Sequence, residues 1–275
     1  MSRRLPLWAC VAEAYAFVPK AWAGAWGVLV LATVLAVWPI WAAVWVLKTD
    51  ARWIVSPPMV ALWALLLTLA SLAAEGALFR LGVTRSLAEA RALGLGVGGL
   101  QLGRPELRLV AAGLLVLLFL LIVGAAAFVV LAVVTGVAQA DPLGGGTGWK
   151  AWVARGVEIA AALTFAGLLV KLSLHQPATI ARRKVVSLDS LALAEGALLK
   201  LAAGLVATAP VLVLTVIEQA LRRAGHSLGG TETFIVLNAW IAALCLIQAP
   251  LTAGFLSAAY RRLEYVPGEQ GETRA

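Results

Sequence analysis

The chain has 275 residues, of which 62% are hydrophobic and only 13% charged, with a mean hydropathy of +0.93. A soluble domain does not carry that balance, so lipid must be the solvent for most of the chain. The formal net charge of +8 does not point to nucleic acid, because the basic residues alternate between loops and no RNA- or DNA-binding motif accompanies them.

Arg3 and Arg4 open the chain, but no apolar core with a small-residue cleavage site precedes Pro19 and Lys20. The first long apolar run is therefore expected to stay as a helix. In the stretch LWACVAEAYAFV, Trp8, Val11, Tyr15 and Val18 recur at helical spacing, so residues 1–20 read as a cytoplasmic helix lying in the membrane interface.

Residues 21–260 contain six apolar stretches: Trp22 to Leu47, Pro57 to Arg80, Leu109 to Ala138, Trp152 to Leu174, Leu191 to Ile217 and Phe234 to Ala258. Each suffices to cross a hydrocarbon core of about 30 Å, which takes roughly 20 helical residues. The expected fold is an all-α polytopic membrane bundle of six transmembrane helices. Sixteen of the 22 Lys and Arg residues fall on one side of that layout if the N-terminus is inside, and six on the other. That bias places both termini in the cytoplasm. The dominance of Ala, Leu, Gly and Val, with Arg outnumbering Lys 16 to 6, fits a GC-rich bacterial genome. The expected location is a bacterial inner membrane. Membrane lipids are the first partners, with anionic headgroups facing the basic loops at about 1 kcal/mol per nearby cation.

Five of the eleven tryptophans lie in the first span. Trp22 and Trp26 suit one interface and Trp41 and Trp45 the other, as aromatic belts require. Pro39, between Trp38 and Trp41, reads as a kink without polar company. Two connections are long. Leu81 to Arg108 contains TRSLAEARAL, where Ser86 and Glu89 have capping-box spacing; His175 to Ser190 leads into the fifth span. DPLGGGTG, 141–148, reads as a flexible turn on the far side, and 261–275 as a disordered cytoplasmic tail ending VPGEQGETRA. Arg155 with Glu158, and Glu218 with Arg222, have helical pair spacing and are expected as rim pairs. Cys10 and Cys245 sit too far apart in this layout for a disulfide and supply no metal pattern, so both read as buried, inert thiols.

AEGALFRL, starting at Ala74, recurs as AEGALLKL, starting at Ala194. The copies run in opposite directions across the membrane, as in an inverted repeat. LRLVAAGLL against LKLAAGLV gives a competing alignment of spans in the same direction, and chance similarity in an Ala/Leu/Gly-rich chain is the third reading. Gly94, Gly96 and Gly99 spell G-x-G-x-x-G, but no strand precedes them and a span follows, so a dinucleotide site is excluded. GGGTGWK lacks the Lys and Ser/Thr placement of a phosphate loop. With His175 and His226 on opposite faces and no protease or metal motif, neither enzyme activity nor a cofactor is expected.

Two sets of residues are candidates for function. Glu75, Arg80, Glu106, Arg108, Glu195 and Lys200 form a cytoplasmic polar cluster, in which Pro105 and Glu106 suit the first turn of a helix and Arg108 reaches headgroup phosphate or the carboxylate of Glu75 or Glu195. Thr208, Pro210, Gln248, Pro250 and Thr252 are a candidate substrate path, because each mid-span proline frees a carbonyl beside a polar side chain.

LQLGRPELRLV and VKLSLHQPATIARRKVVSLDSLALAEGALLKLAAG together resemble a group of uncharacterised alphaproteobacterial six-span inner-membrane proteins. Those share an R-L-G-x-x-E-L-R-like turn before the third span and an [RK]-L-S-L-x-x-P-[AS]-T stretch before the fifth. This chain departs from their usual arginine and tryptophan near the fifth-span start, carrying Glu195 and Leu199. The group is distantly similar to the membrane domain of glycerophosphodiester phosphodiesterases, and nothing here matches that family's catalytic barrel. The resemblance implies architecture and a lipid-related setting. Two functions are therefore expected in contention: a membrane domain handling lipid or a small apolar solute, and an accessory subunit bracing a membrane-protein partner.

Overall fold

A computed structural model of the chain describes residues 5–49, 52–139, 149–211 and 230–264, with the single positions Thr215 and Gln219. The turn at 141–148, the tail 266–275, the Glu218–Arg222 pair and His226 lie outside the described residues. No strand occurs among the described residues. The helices are α1 (Leu7–Thr49), α2 (Pro57–Val83), α3 (Leu87–Ala92), α4 (Arg104–Gln139), α5 (Trp149–Leu172), α6 (His175–Arg182), α7 (Asp189–Leu193), α8 (Leu198–Ala207), α9 (Gly230–Ala243) and α10 (Ala249–Glu264), with a π turn, Leu244–Gln248, joining the last two.

Among the described residues, five segments are long and apolar enough to cross a membrane: Leu7–Thr49, Pro57–Val83, Val97–Gly136, Trp152–Arg182 and Glu232–Glu264. The expected fifth span, Leu191 to Ile217, is not a continuous helix over its described part. It consists of α7, a turn at Gly196, α8 and a break at Thr208 and Ala209. Pro210 cannot donate to the ladder, which forces that break. Gly196 holds φ at +75°, a conformation that glycine adopts without steric cost.

The interfacial stretch is continuous with the first span. α1 runs through Lys20 and departs from helical geometry only at Ala25 (φ −128°, ψ 18°). Its inward stripe is Cys10, Ala14, Phe17 and Ala21, all buried, whereas Trp8 and Tyr15 face outward. Small residues make this packing close. A Cβ on Gly254 would lie 2.8 Å from Cδ1 of Phe17, and one on Gly204 only 2.0 Å from Cζ of Phe255. At Ala25 the 94–103 loop presses against the helix: Gly99 (φ +80°) leaves room where a Cβ would stand 2.8 Å from Val28.

The core gathers at one end. The N-terminal half of α1, the last turns of α2, α6, the start of α8 and α10 supply almost all fully buried side chains. From Leu117 to Gly136 no residue of α4 is buried, and only 6% of the most apolar window of Val97–Gly136 is covered. Leu, Val, Ile, Phe and Trp side chains stand exposed along α1, α2, α4, α5 and α9. A surface of that kind suits hydrocarbon.

Candidate functional site

The compact end is held by charged side chains on carbonyls and carboxylates. Arg80 lies one turn from the end of α2 and is only 1% exposed, so its charge needs local compensation. Glu106, 3% exposed, provides it, with Nη1 of Arg80 2.5 Å from Oε1. The two meet as an ion contact without an aligned hydrogen bond. Arg80 also donates from Nε to the Leu93 carbonyl at 3.1 Å. The other oxygen of Glu106 accepts the Gly103 N–H at 2.9 Å, so the same carboxylate closes the N-terminus of α4. Gly76 makes the space: a Cβ there would sit 2.5 Å from Glu106 Oε1 and 3.2 Å from Arg80 Nη1.

The other members of the expected cluster divide. Glu75 accepts from Gln176 Nε2 at 3.3 Å. Arg108 donates from Nη1 to the carbonyl of Arg183, the one non-glycine described residue at positive φ (51°). Arg108 therefore closes the end of α6 and does not reach Glu75 or Glu195. Glu195 and Lys200 are exposed and make no side-chain hydrogen bond or ion pair. The two AEGAL copies are thus structurally unlike: the first is unbroken helix, the second the break between α7 and α8. Arg155 and Glu158 are both exposed on α5 and form no ion pair.

A second network joins α1, α2 and α10. Lys20 Nζ donates to the carbonyls of Leu81 and Thr84, at 2.7 Å each, which closes the C-terminus of α2 with a cation where the helix dipole favours one. Arg261 reaches both the Gly82 carbonyl and the Glu13 carboxylate, and Arg262 Nη2 lies 3.1 Å from the other oxygen of Glu13. Arg262 also donates to Sγ of buried Cys10 at 2.9 Å; Cys245 is only half-buried. Glu13, Gln176, Arg183 and Arg261 were not singled out from sequence. The signal in their case is pairing across helices, which spacing along one helix does not carry.

Pro39, Pro210 and Pro250 follow one rule. Each removes the N–H that would have bonded the carbonyl four residues earlier, and in hydrocarbon that carbonyl needs another donor. For Pro39 it is Leu35, and Trp63 donates its indole N–H to it at 2.7 Å. Pro39 does have polar company, on the neighbouring helix. For Pro250 the freed carbonyl is Leu246, taken by the Trp22 indole at 2.6 Å. For Pro210 it is Val206, taken by the Ala209 N–H at 3.1 Å. The next two carbonyls are closed by the Tyr15 hydroxyl on Ala207 (3.1 Å) and Gln248 Nε2 on Thr208 (2.7 Å).

The candidate path is therefore brought together but packed shut. Gln248 Nε2 also bonds Thr252 Oγ1 at 3.0 Å, Thr208 is fully buried and Gln248 is 9% exposed. Only Gln248 Oε1, among the groups of this staple, is left without a donor.

Three openings matter chemically. Two apolar grooves flank α1 and α2, of ≈ 330 Å³ and ≈ 390 Å³, and both are lined by Leu35 and Leu66. One extends to Met59 and Val60, the other to Ala73 and Leu100–Leu102. The third is a cavity of ≈ 270 Å³ lined by Arg80, Arg108, Arg183, Thr179, Pro105 and the Leu93–Gly94 turn. No cluster of three His, Cys, Asp or Glu side chains fit for a metal occurs among the described residues. Compared with protein-family models, curated proteins and solved structures, the chain matches none.

Proposed function

We propose that this is a multi-pass bacterial inner-membrane protein, both termini cytoplasmic, that handles lipid or a small apolar solute without catalysing a reaction on it. The observation that carries the reading is the pair of grooves meeting at Leu35 and Leu66. Together they follow α2 from Met59 to Ala73, about 21 Å of helix at 1.5 Å per residue. Their walls are aliphatic and aromatic apart from Gln101, and they open sideways among side chains suited to hydrocarbon. An acyl chain or similar apolar body fits such a surface.

Orientation is supported by charge. Among the described residues, the compact end carries thirteen cations against seven carboxylates, the balance expected at a cytoplasmic face. Trp22 and Trp41 are 19 residues apart, about 28 Å of helix, which spans the hydrocarbon from one aromatic belt to the other. Exposed Val97, Leu100, Leu102 and Leu107 belong to the cytoplasmic boundary on this reading. A periplasm-active reporter fused after residue 145 or after Ser227 should give signal, and one fused after residue 95 should not. The opposite pattern overturns the orientation.

The function is tested by filling the junction of the grooves. Leu66 is 44% exposed, so Leu66→Trp adds bulk without burying it in the core. Wild-type protein purified in mild detergent should retain lipid detectable by native mass spectrometry or label with a photoreactive fatty acyl probe. Leu66→Trp should reduce both several-fold at unchanged yield; equal retention removes the grooves from consideration. A second reading rests on the bare flank of α4 beyond Val116, which offers an accessory subunit a surface for a membrane-protein partner. A stoichiometric protein co-purifying in place of lipid would favour it.

A further inference from the structure

We infer that the arginine cavity at the compact end binds a phosphate-class oxyanion. Two of its cations have no carboxylate. Glu106 is committed to Arg80, whereas Arg108 and Arg183 form no ion pair and both line the opening. The cavity is thus lined by two arginines without a carboxylate partner, exposed Arg183 and half-buried Arg108, beside the paired Arg80, around ≈ 270 Å³ of open space. Guanidinium groups supplied by separate elements are the donors that match phosphate oxygens.

The backbone is arranged to keep them there. Arg183 adopts φ 51° at the end of α6, a conformation that Asn or Gly would take more readily than Arg. Arg108 holds that residue by its carbonyl, so the two side chains share one anchor. Thr179, behind them, is buried and clamps the returning chain: its hydroxyl donates to the Val186 carbonyl at 3.1 Å and accepts the Val186 N–H at 3.2 Å. Pro105 brings the first turn of α4 to the rim, where Glu106 already closes the helix N-terminus, so the attraction for an anion comes from the arginines.

The cavity also lies where a phosphate would be. Arg108 follows exposed Leu107 on α4, at the level where side chains suited to hydrocarbon begin. On α2, Ala73 lines an apolar groove and Arg80 lines the cavity, and seven residues place them on one face about 10 Å apart. The anion can come from a phospholipid headgroup or from free phosphate. Only the choice of headgroup rests on the lipid-handling reading.

The test uses full-length protein in phosphatidylcholine nanodiscs. The probes are a small fraction of phosphatidylglycerol in the disc and inorganic phosphate in the buffer. Arg183→Asn removes a cation while suiting the backbone, so folding is protected; Arg108→Gln is the second variant and Lys200→Gln the control cation outside the cavity. Wild type should enrich phosphatidylglycerol over phosphatidylcholine. Arg183→Asn and Arg108→Gln should each weaken that binding by about tenfold, the scale of one charge-assisted hydrogen bond. Lys200→Gln should change it less than about twofold.

If inorganic phosphate binds with the same dependence on Arg183, the source is free phosphate; if phosphatidylglycerol alone binds, it is the headgroup. No binding of either probe by wild type overturns the inference, as do unchanged binding in Arg183→Asn and equal losses in Lys200→Gln. Leu66→Trp should leave binding at the arginines intact. Loss of apolar-chain retention in that variant therefore bears on the grooves alone.

Discussion

Removing the carboxylate of Glu106 is the sharpest perturbation available, because it strands a charge that is 1% exposed. Breaking a buried pair by deleting one partner costs about 3–5 kcal/mol, most of it from the ion left behind. Glu106→Ala also removes the acceptor for the Gly103 N–H at the start of α4, worth about 1 kcal/mol as a cap. At roughly 2–4 °C per kcal/mol for a chain of this size, the detergent melting temperature should fall by about 10–20 °C. Glu269→Ala, in the C-terminal segment, should stay within about 0.5 kcal/mol of wild type. The double variant Arg80→Met, Glu106→Leu removes both charges and should recover most of the loss, since an apolar pair of similar volume replaces a buried ion pair at little cost. Gly76→Ala ought to gain about 1 kcal/mol from helix propensity. It should instead destabilise, because its Cβ would lie 2.5 Å from Glu106 Oε1. Equal melting temperatures for Glu106→Ala and Glu269→Ala, or a double variant no better than the single, would refute the ion-pair account.

Trp63→Phe keeps the ring but leaves the Leu35 carbonyl without a donor, and should cost about 1–3 kcal/mol. In a Pro39→Ala background, which restores the backbone N–H, the same change should be near neutral; a cycle with no coupling in melting temperature would exclude the indole as the donor. Gln248→Leu removes the donor to the Thr208 carbonyl and should lower stability by about 1–3 kcal/mol, so a variant melting like wild type would leave the residue free for a role in a path. Gly204→Ala should cost about 1–3 kcal/mol through overpacking against Phe255; unchanged tryptic susceptibility between α8 and α10 would argue that the ring moves freely.

Composition and hydropathy made the helical class and the long apolar segments legible, because both follow from sums over long segments. The capping box was legible for the opposite reason: it is local, and Ser86 Oγ accepts the Glu89 N–H at 3.2 Å as the spacing requires. What spacing could not carry was the partner on another helix. Glu106 was expected to favour a helix start and does so, but nothing within α2 announces that Arg80 is its counter-ion or that Gly76 makes their room. The tryptophans show the same limit. Interface anchoring accounts for Trp22 by position, yet its indole also closes the carbonyl freed by Pro250, a relation visible only when α1 and α10 are side by side. Sequence left three readings of the repeated AEGAL segment open, because identical letters can sit in unlike backbones, here unbroken helix in one copy and a glycine turn in the other.

These cross-helix bonds also decide which helices can part. At the outer half, α1 is tied to α9 by the Trp41 indole on Asn238 Oδ1 at 3.1 Å, with the rings of Trp41 and Phe234 5.0 Å apart and edge-to-face. Near its base α1 is tied again by Trp22 to the π turn. Between α1 and α2 the described outer half offers one side-chain bond, from Trp63 to Leu35, and the apolar grooves lie on that seam. Under the proposed reading, an acyl chain entering there would part α1 from α2 and leave α1 and α9 together. The strain would fall on the Pro39 kink, whose freed carbonyl is held by the indole of Trp63. Lys20, Arg80 and Arg261 close the compact end on two sides of α2, so the bonds that such an entry would have to break lie in the outer half alone.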